Sequence, residues 1–213
     1  PCKSMVNSVI IPIRKKLNNE CFMSILTSID KTLERGDKVL ELMQERELLF
    51  FDLMDTIAAK IVVTRHDLSR LVEEAINKSH FEHLSRHKGR EIVSLDCKGL
   101  TKEDTYGMMA NLAEKVKKYP SLIVIIENIA GIWTDPYCEN PQYVENLIGH
   151  SWKNEQIYFG DCHIDRTGMT VILTTTPEHQ EELEQRYRTD SYSWVDDFDT
   201  NLDALQKAVD SLQ

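Results

Sequence analysis

Three apolar segments that each end in polar residues place the tightest constraint on the fold of this chain. They occupy residues 60–64, 122–128 and 171–176. Apolar runs of this length are typical of strands that are buried on both faces, as in a parallel sheet. Helical patterns lie between the segments, so the strands require crossover connections. We therefore predict an α/β fold, a three-layer sandwich around a mainly parallel central sheet.

Local signals mark one helix of this core. Thr101 is followed three positions later by Asp104, which is the pattern of a capped helix start. Tyr119-Pro120 marks the end, because a residue before proline is disfavoured in the helical region. We predict a helix over residues 102–118, preceded by a further strand over residues 91–95.

The segment before the core is predicted to be a pair of helices. Ile25, Ile29 and Leu33 repeat at four-residue steps, which is the spacing of one helix face. Gly36-Asp37 is the expected joint between the two helices, since glycine often interrupts a helical pattern.

The end of the chain is acidic and is predicted to be mostly helical, with an apolar stripe through Leu202, Leu205, Val209 and Leu212. We divide the chain into an N-terminal helical extension (1–57), an α/β core (58–178) and a C-terminal helical segment (179–213).

The balance of charge argues against direct contact with nucleic acid. The chain of 213 residues has 35 acidic and 25 basic side chains and a formal net charge of −10, which would repel a phosphate backbone. Its longest apolar runs are far shorter than the roughly 20 residues that a membrane span needs. Because Pro1 rather than methionine comes first, we expect a fragment or a processed product of a longer protein.

The cysteines indicate scattered thiols rather than a disulfide framework. They are Cys2, Cys21, Cys97, Cys138 and Cys162. Their number is odd and no CxxC spacing occurs, which favours an intracellular reducing compartment. A bridge between Cys138 and Cys162 stays open as an alternative.

The residues after the first strand differ from a phosphate-binding loop. Such a loop needs glycines for close backbone approach and a lysine for the phosphates. Residues 65–70 read Arg-His-Asp-Leu-Ser-Arg and contain neither. Glu127 at the end of the second strand is a candidate magnesium ligand, because hard cations take oxygen ligands. The alternative is that Glu127 and Asn128 are polar caps of a buried strand, and the missing loop favours this alternative.

Three further patterns are candidates for a functional site. His80, His83 and His87 would share one face of a continuous helix and are candidate zinc ligands, but a solvated helix end explains them better. Cys162-His163 are neighbours whose side chains point to opposite faces of a strand, so they do not form a nucleophile–base pair.

Arg186 and Arg188 stand beside aromatic residues, as in an interface anchor or an ordinary amphipathic helix.

Residues 58–177 resemble the large domain of AAA+ proteins, a branch of the P-loop NTPase superfamily, and especially the Clp-type unfoldases and the torsins. The resemblance rests on the order of strands and helices and on residues 158–170, which lead into the strand at 171–176 as in the Clp pattern. It implies a Walker A position at residues 64–71, a Walker B position at Glu127 and Asn128, and a sensor position at Thr176.

Each of these positions departs from the family. Residues 64–71 lack both glycines and the lysine, Glu127 stands for the usual aspartate, Asn128 for the catalytic glutamate and Thr176 for asparagine. A phosphate loop, its lysine and a magnesium ligand act as one unit, so their loss removes most of the affinity for a nucleoside triphosphate. The resemblance thus implies a pseudo-ATPase that needs no cofactor.

The resemblance also implies a role. Degenerate AAA+-like domains in the membrane-tethered activators of torsins insert an arginine toward the nucleotide of a neighbouring ATPase. Arg186 and Arg188 are the candidates here, and the expected partner is an AAA+ ATPase or another copy of this chain. One alternative is an active hydrolase that uses Glu127 for magnesium and Arg65 or Arg70 in place of the lysine, with ATP and Mg²⁺ as cofactors. Another is a subunit of a nucleic-acid remodelling assembly.

Overall fold

The computed structural model describes residues 19–54, 56–188 and 190–212. Its strands are β1 (Lys60–Val63), β2 (Ile92–Asp96), β3 (Ile123–Glu127), β4 (Gln156–Phe159), β5 (Cys162–Asp165), β6 (Thr170–Thr175) and β7 (Ser193–Val195). In this part of the chain a five-stranded sheet has the order β2-β3-β6-β1-β7, and every pairing within it is parallel. β4 and β5 form a separate antiparallel hairpin. The predicted α/β fold with a parallel sheet is confirmed.

The helices are α1 (Asn19–Phe51), α2 (Leu68–Lys78), α3 (Glu82–Ser85), α4 (Lys102–Lys118), α5 (Gly131–Thr134), α6 (Pro141–Val144), α7 (Gln180–Arg186) and α8 (Phe198–Asp210). Short 3-10 turns lie at Asp52–Met54, Ser151–Lys153 and Pro177–His179, and a π turn at Glu145–Gly149 continues α6. The start of α4 is capped as predicted, because Asp104 N–H donates to Thr101 Oγ1 at 3.0 Å and Thr101 N–H donates to Asp104 Oδ2 at 3.2 Å.

Helices cover both faces of the sheet, and each face has its own core. On one face Val62, Ile125 and Ile172 pack with buried residues of α2 and with the end of α1. On the other face Ile61 and Val124 pack with α4 and with the region around the hairpin. Neighbouring residues of one strand enter different cores because successive side chains in a strand point to opposite faces. This two-sided burial is why β1 and β3 consist almost entirely of aliphatic residues.

The predicted pair of N-terminal helices is wrong. α1 is one continuous helix of 33 residues that passes through Gly36 and Asp37 without a break. A single glycine costs a helix only about 1 kcal/mol relative to alanine. Leucines, glutamates and lysines on both sides of Gly36 are good helix formers and offset that cost. Residues 1–18 of the predicted extension lie outside the described residues.

The C-terminal segment supplies a strand as well as helices. β7 pairs in parallel with β1, and Ser193 N–H donates to Ala59 O at 3.0 Å just before the ladder begins. α8 follows β7 and packs against α1, with Phe198 meeting the edge of the Phe50 ring at 5.7 Å between centroids. The last part of the chain is therefore joined to the sheet through backbone hydrogen bonds and to α1 through side chains.

Cys97, Cys138 and Cys162 carry free thiols, so the alternative of a Cys138–Cys162 bridge is not realised. Among the described residues there is no helix with both the length and the hydrophobicity that a membrane span demands.

Candidate functional site

The three polar strand ends meet at one edge of the sheet. β6 lies between β1 and β3, so the polar residues that follow these three strands are neighbours in space. Thr64 N–H donates to Thr175 O at 2.8 Å and Ile129 N–H donates to Thr174 O at 2.9 Å, which continues the ladders past the strand ends. Open parallel sheets bind their ligands at this edge. We call it the carboxyl edge.

The connection from β1 to α2 is occupied by carboxylates of the chain itself. Thr64 Oγ1 donates to Asp199 Oδ1 at 2.6 Å, and Arg65 N–H donates to Asp199 Oδ2 at 3.0 Å. His66 N–H donates to Thr64 Oγ1 at 3.0 Å, and Arg70 N–H donates to Asp67 Oδ1 at 3.0 Å, which caps α2. The backbone donors of Arg65, His66 and Arg70 therefore already have acceptors within the chain.

Arg65 in this connection and Arg70 in the first turn of α2 are each paired with a glutamate. Arg65 Nη2 donates to Glu178 Oε1 at 2.7 Å, and Arg70 Nε donates to Glu74 Oε1 at 3.1 Å. The hydrogen bond from Arg65 is the main reason that the pKa of Glu178 falls to about 2, and the same contact raises the pKa of Arg65. The hydrogen bond from Arg70 likewise lowers the pKa of Glu74. Neither guanidinium is left without a carboxylate partner.

Glu127 and Asn128 are held in a hydrogen-bond network. Ser69 Oγ, in the first turn of α2, donates to Glu127 Oε1. Asn128 has a left-handed backbone with φ of 54°, and its Nδ2 donates to Asp96 Oδ1 at 3.1 Å. Asparagine is among the few residues that adopt this conformation readily. Both side chains therefore tie neighbouring elements together at the carboxyl edge.

Two open cavities border the carboxyl edge. One of about 720 Å³ lies between α2 and the edge strand β2, with Ser69, Arg90, Ser94 and Glu127 in its wall. The other, of about 500 Å³, is lined by residues that include Asn128, Thr176, Lys98 and Tyr137. Thr176 directly precedes the Pro177–His179 turn and accepts a backbone hydrogen bond from His179 at 3.0 Å.

The three histidines do not share a helix face. His80 precedes α3, His83 lies within it and His87 follows it. His87 is buried, and this burial, with the charges of Arg90 and Arg86, lowers its pKa to about 4. Within the described ranges no three His, Cys, Asp or Glu side chains come together in a way that could hold a metal ion. Cys162 and His163 lie side by side in β5, and His163 stacks on Tyr158 at 5.9 Å.

The two C-terminal arginines have different surroundings. Arg186 Nη1 lies 3.3 Å from Glu145 Oε2, its Nη2 donates to Glu182 Oε1 at 2.9 Å, and its guanidinium lies 4.4 Å from the centre of the Trp133 ring. Arg188 is exposed, and in the part of the chain that the structure describes it has no ion-pair partner. Of these two arginines, Arg188 is the one that presents its guanidinium to solvent without an ion-pair partner among the described residues.

Searches against protein-family models and against curated proteins return no match to this chain. The architecture and the geometry of the carboxyl edge are thus the basis for any functional argument. That edge is a network in which carboxylates and donors satisfy one another. The sequence did not point to Asp199 or Glu178 as members of this network, since each is one of many acidic residues in the last part of the chain.

Proposed function

We propose that this chain is a catalytically silent α/β module of AAA+-like architecture that acts by contacting a partner protein. The observation that carries the proposal is the position of Asp199. Its carboxylate accepts hydrogen bonds from Thr64 and from the backbone of Arg65, where a nucleotide phosphate would need those donors. An anion held there by the fold opposes a second anion through charge repulsion and leaves it no free donors.

The order of the sheet supports the architectural part of this proposal. The strand at the sensor position lies directly between the strands at the Walker A and Walker B positions. Three motifs that the resemblance picked out from separate parts of the sequence therefore face one edge. A fold that keeps this arrangement while its loop lacks glycine and lysine is what a degenerate NTPase would look like.

Hydrolysis by the chain itself has less support. That function would need Glu127 to hold magnesium and Arg65 or Arg70 to replace the lysine. Glu127 already accepts a hydrogen bond from Ser69, and the two arginines are bonded to Glu178 and Glu74. For these guanidinium groups to bind phosphate in place of the lysine, a nucleotide would have to compete with Glu178 and Glu74.

The contact with the partner is proposed to involve Arg188. An arginine supplied from outside an active site stabilises the charge that develops on a phosphoryl group in transfer, so the partner we propose is an ATPase. Arg186 is less suited to this role, because Glu145 and Glu182 neutralise it and Trp133 covers one face of it. Neither nucleotide nor metal needs to bind this chain for Arg188 to act.

The first test is calorimetric titration with ATP and Mg²⁺, with thermal unfolding measured in parallel. A ligand that binds only the folded state adds about 2.7 kcal/mol of stability at roughly 100 times its Kd. We expect neither heat nor stabilisation. Saturable binding that disappears in Glu127→Gln would overturn the proposal in favour of the hydrolase.

The second test is a change in the activity of an ATPase that binds this chain. Addition of the chain should raise the kcat of the ATPase, since arginine fingers contribute about 10³-fold or more. Arg188→Ala should lose most of this stimulation without weakening the complex to the same extent. Arg70→Ala is the matched control, because it also removes an exposed arginine but leaves Arg188 in place. Equal stimulation by all three chains would exclude the arginine role.

A further inference from the structure

The middle of α1 presents an exposed apolar surface. Ile29, Leu33 and Leu40 are 43%, 58% and 56% exposed, although they lie in the middle of a continuous helix. Burial of α1 begins at Leu42 and continues through Phe50 into the sheet core. We call Ile29, Leu33 and Leu40 the apolar row.

The spacing of the apolar row is that of a coiled-coil seam. Ile29, Leu33, Gly36 and Leu40 follow one another at steps of four, three and four residues, which is the heptad pattern. Gly36 occupies one of the seam positions, and a Cβ placed on it would meet nothing within 4 Å. The seam therefore has a gap between Leu33 and Leu40 that admits a large side chain from a facing helix.

Carboxylates run alongside the apolar row with the same spacing. This acidic row consists of Asp30, Glu34, Asp37 and Glu41, each the residue that follows a seam position. All four are exposed. Glu41 has a partner in Lys38 at 3.1 Å, but both groups of that pair are more than half exposed, so the pair contributes little. Residues that border a seam set the choice of partner through salt bridges.

We propose that residues 29–41 of α1 bind an amphipathic helix of a partner protein with lysines or arginines on the border of its apolar face. The apolar side of that helix lies on the apolar row, and its cations face the acidic row. A second copy of α1 offers a poorer match, since the other border of its seam consists of Ser28, Thr32, Arg35 and Val39, which set one cation against the four carboxylates of the acidic row. This inference is independent of Arg188 and of the state of the nucleotide position.

The test uses two synthetic helical peptides of about three heptads, with leucine or isoleucine along the seam and either lysine or glutamate on both borders. Binding of each labelled peptide to the whole chain is followed by fluorescence anisotropy at low and high salt. We expect the lysine peptide to bind at least about 10-fold more tightly than the glutamate peptide, and the preference to shrink with salt because exposed charges are screened.

Variants of the chain then test whether the lysine peptide binds at the apolar row and the acidic row. Leu33→Asp combined with Leu40→Asp should weaken binding of the lysine peptide at least about 10-fold. Ile57→Asp is the matched control, because Ile57 is 84% exposed and lies outside α1, and it should bind as the parent chain does. Neutralising the acidic row with the corresponding amides should remove the preference for lysine over glutamate. Circular dichroism checks that each variant stays folded.

Three results would overturn the proposal. One is that the parent chain fails to bind the lysine peptide or binds both peptides equally. The second is that binding survives in the Leu33→Asp, Leu40→Asp variant. The third is that the parent chain is dimeric by light scattering and this variant is monomeric, which would make a second copy the occupant. Loss of Arg188 changes none of these results, so the two proposals can fail separately.

Discussion

Thr64 Oγ1 donates a hydrogen bond of 2.6 Å to Asp199 Oδ1, although the two residues stand 135 positions apart in the chain. The contact joins the end of β1 to the first turn of α8. It places a negative charge beside the connection that enters α2, and it anchors α8 at the carboxyl edge.

Asp199→Ala should lower the free energy of unfolding by about 1–3 kcal/mol, because it leaves the donors of Thr64 and Arg65 without their charged acceptor. Urea denaturation measures the change. Asp203→Ala is the control, since Asp203 is an exposed residue of the same helix and should stay within about 0.5 kcal/mol of the parent chain. If both variants lost the same free energy of unfolding, the contact of Asp199 with Thr64 and Arg65 would not stabilise the fold.

Two glycine-to-alanine substitutions should have opposite effects. A Cβ on Gly149 would collide with the hydroxyl of Tyr187, which is buried and stacked on His150 at 4.5 Å. Gly149→Ala should therefore cost about 1–3 kcal/mol. A Cβ on Gly107, within α4, would meet nothing within 4 Å, so Gly107→Ala should gain about 0.5–1 kcal/mol. Thermal unfolding of both variants gives the comparison, and a shift of the same sign would refute it.

Glu178 should remain ionised in acid. Its pKa is held at about 2 by Arg65, against a usual value of 4.5. The Arg65–Glu178 contact therefore stabilises the folded state fully above pH 4.5, and this stabilisation is lost as the pH falls toward 2. NMR titration of the side-chain carboxyl carbon reports the pKa directly. Arg65→Gln should return it toward 4.5. Arg70→Gln should leave Glu178 unchanged and act on Glu74 instead.

His87 should make stability depend on pH in the mildly acidic range. Its pKa is about 4 in the folded chain against a usual value of 6.5, so the unfolded chain binds more protons between these values. The contribution of His87 to the free energy of unfolding is then fully present above pH 6.5, and it decreases by about 1–3 kcal/mol as the pH falls toward 4. His87→Gln should flatten the slope between these pH values in urea denaturation. An unchanged slope would mean that other groups cause it.

The continuity of α1 can be tested at Gly36. Gly36→Ala should increase the helical signal in circular dichroism and stabilise the helix by about 0.5–1 kcal/mol. Gly36→Pro should cost about 3 kcal/mol of helix stability, because proline removes a backbone hydrogen bond in a helix interior. If a joint between two helices lay at Gly36, proline would be tolerated there and the helical signal would hardly change.

The sheet core could be predicted from sequence because its signals are local. β3 is an apolar run and β6 has apolar residues at its centre, since nearly every residue in these strands is buried. The start of α4 could also be predicted from the sequence, because Thr101 and Asp104 form a capping box within one turn of helix.

The features that could not be predicted from the sequence depend on contacts between residues far apart in the chain. β7 is only three residues long and none of them is fully buried, so it carries no apolar run of its own. It is a strand because β1 offers it an unpaired edge. The roles of Asp199 and Glu178 likewise arise from contacts with Thr64 and Arg65, more than 100 positions earlier.

The continuous α1 also fixes distance and direction. A helix of 33 residues is about 50 Å long, and among its described residues those that pack in the sheet core are Leu49, Phe50 and Phe51, close to its end. The part of α1 that precedes Leu42 therefore determines how far from the sheet core a helix bound to the apolar row would lie. Insertion of one residue near Leu42 would advance the exposed half by about 1.5 Å and turn it by about 100°. Insertion of a whole heptad would add about 10 Å but turn it by only about 20°, so spacing and orientation can be changed separately.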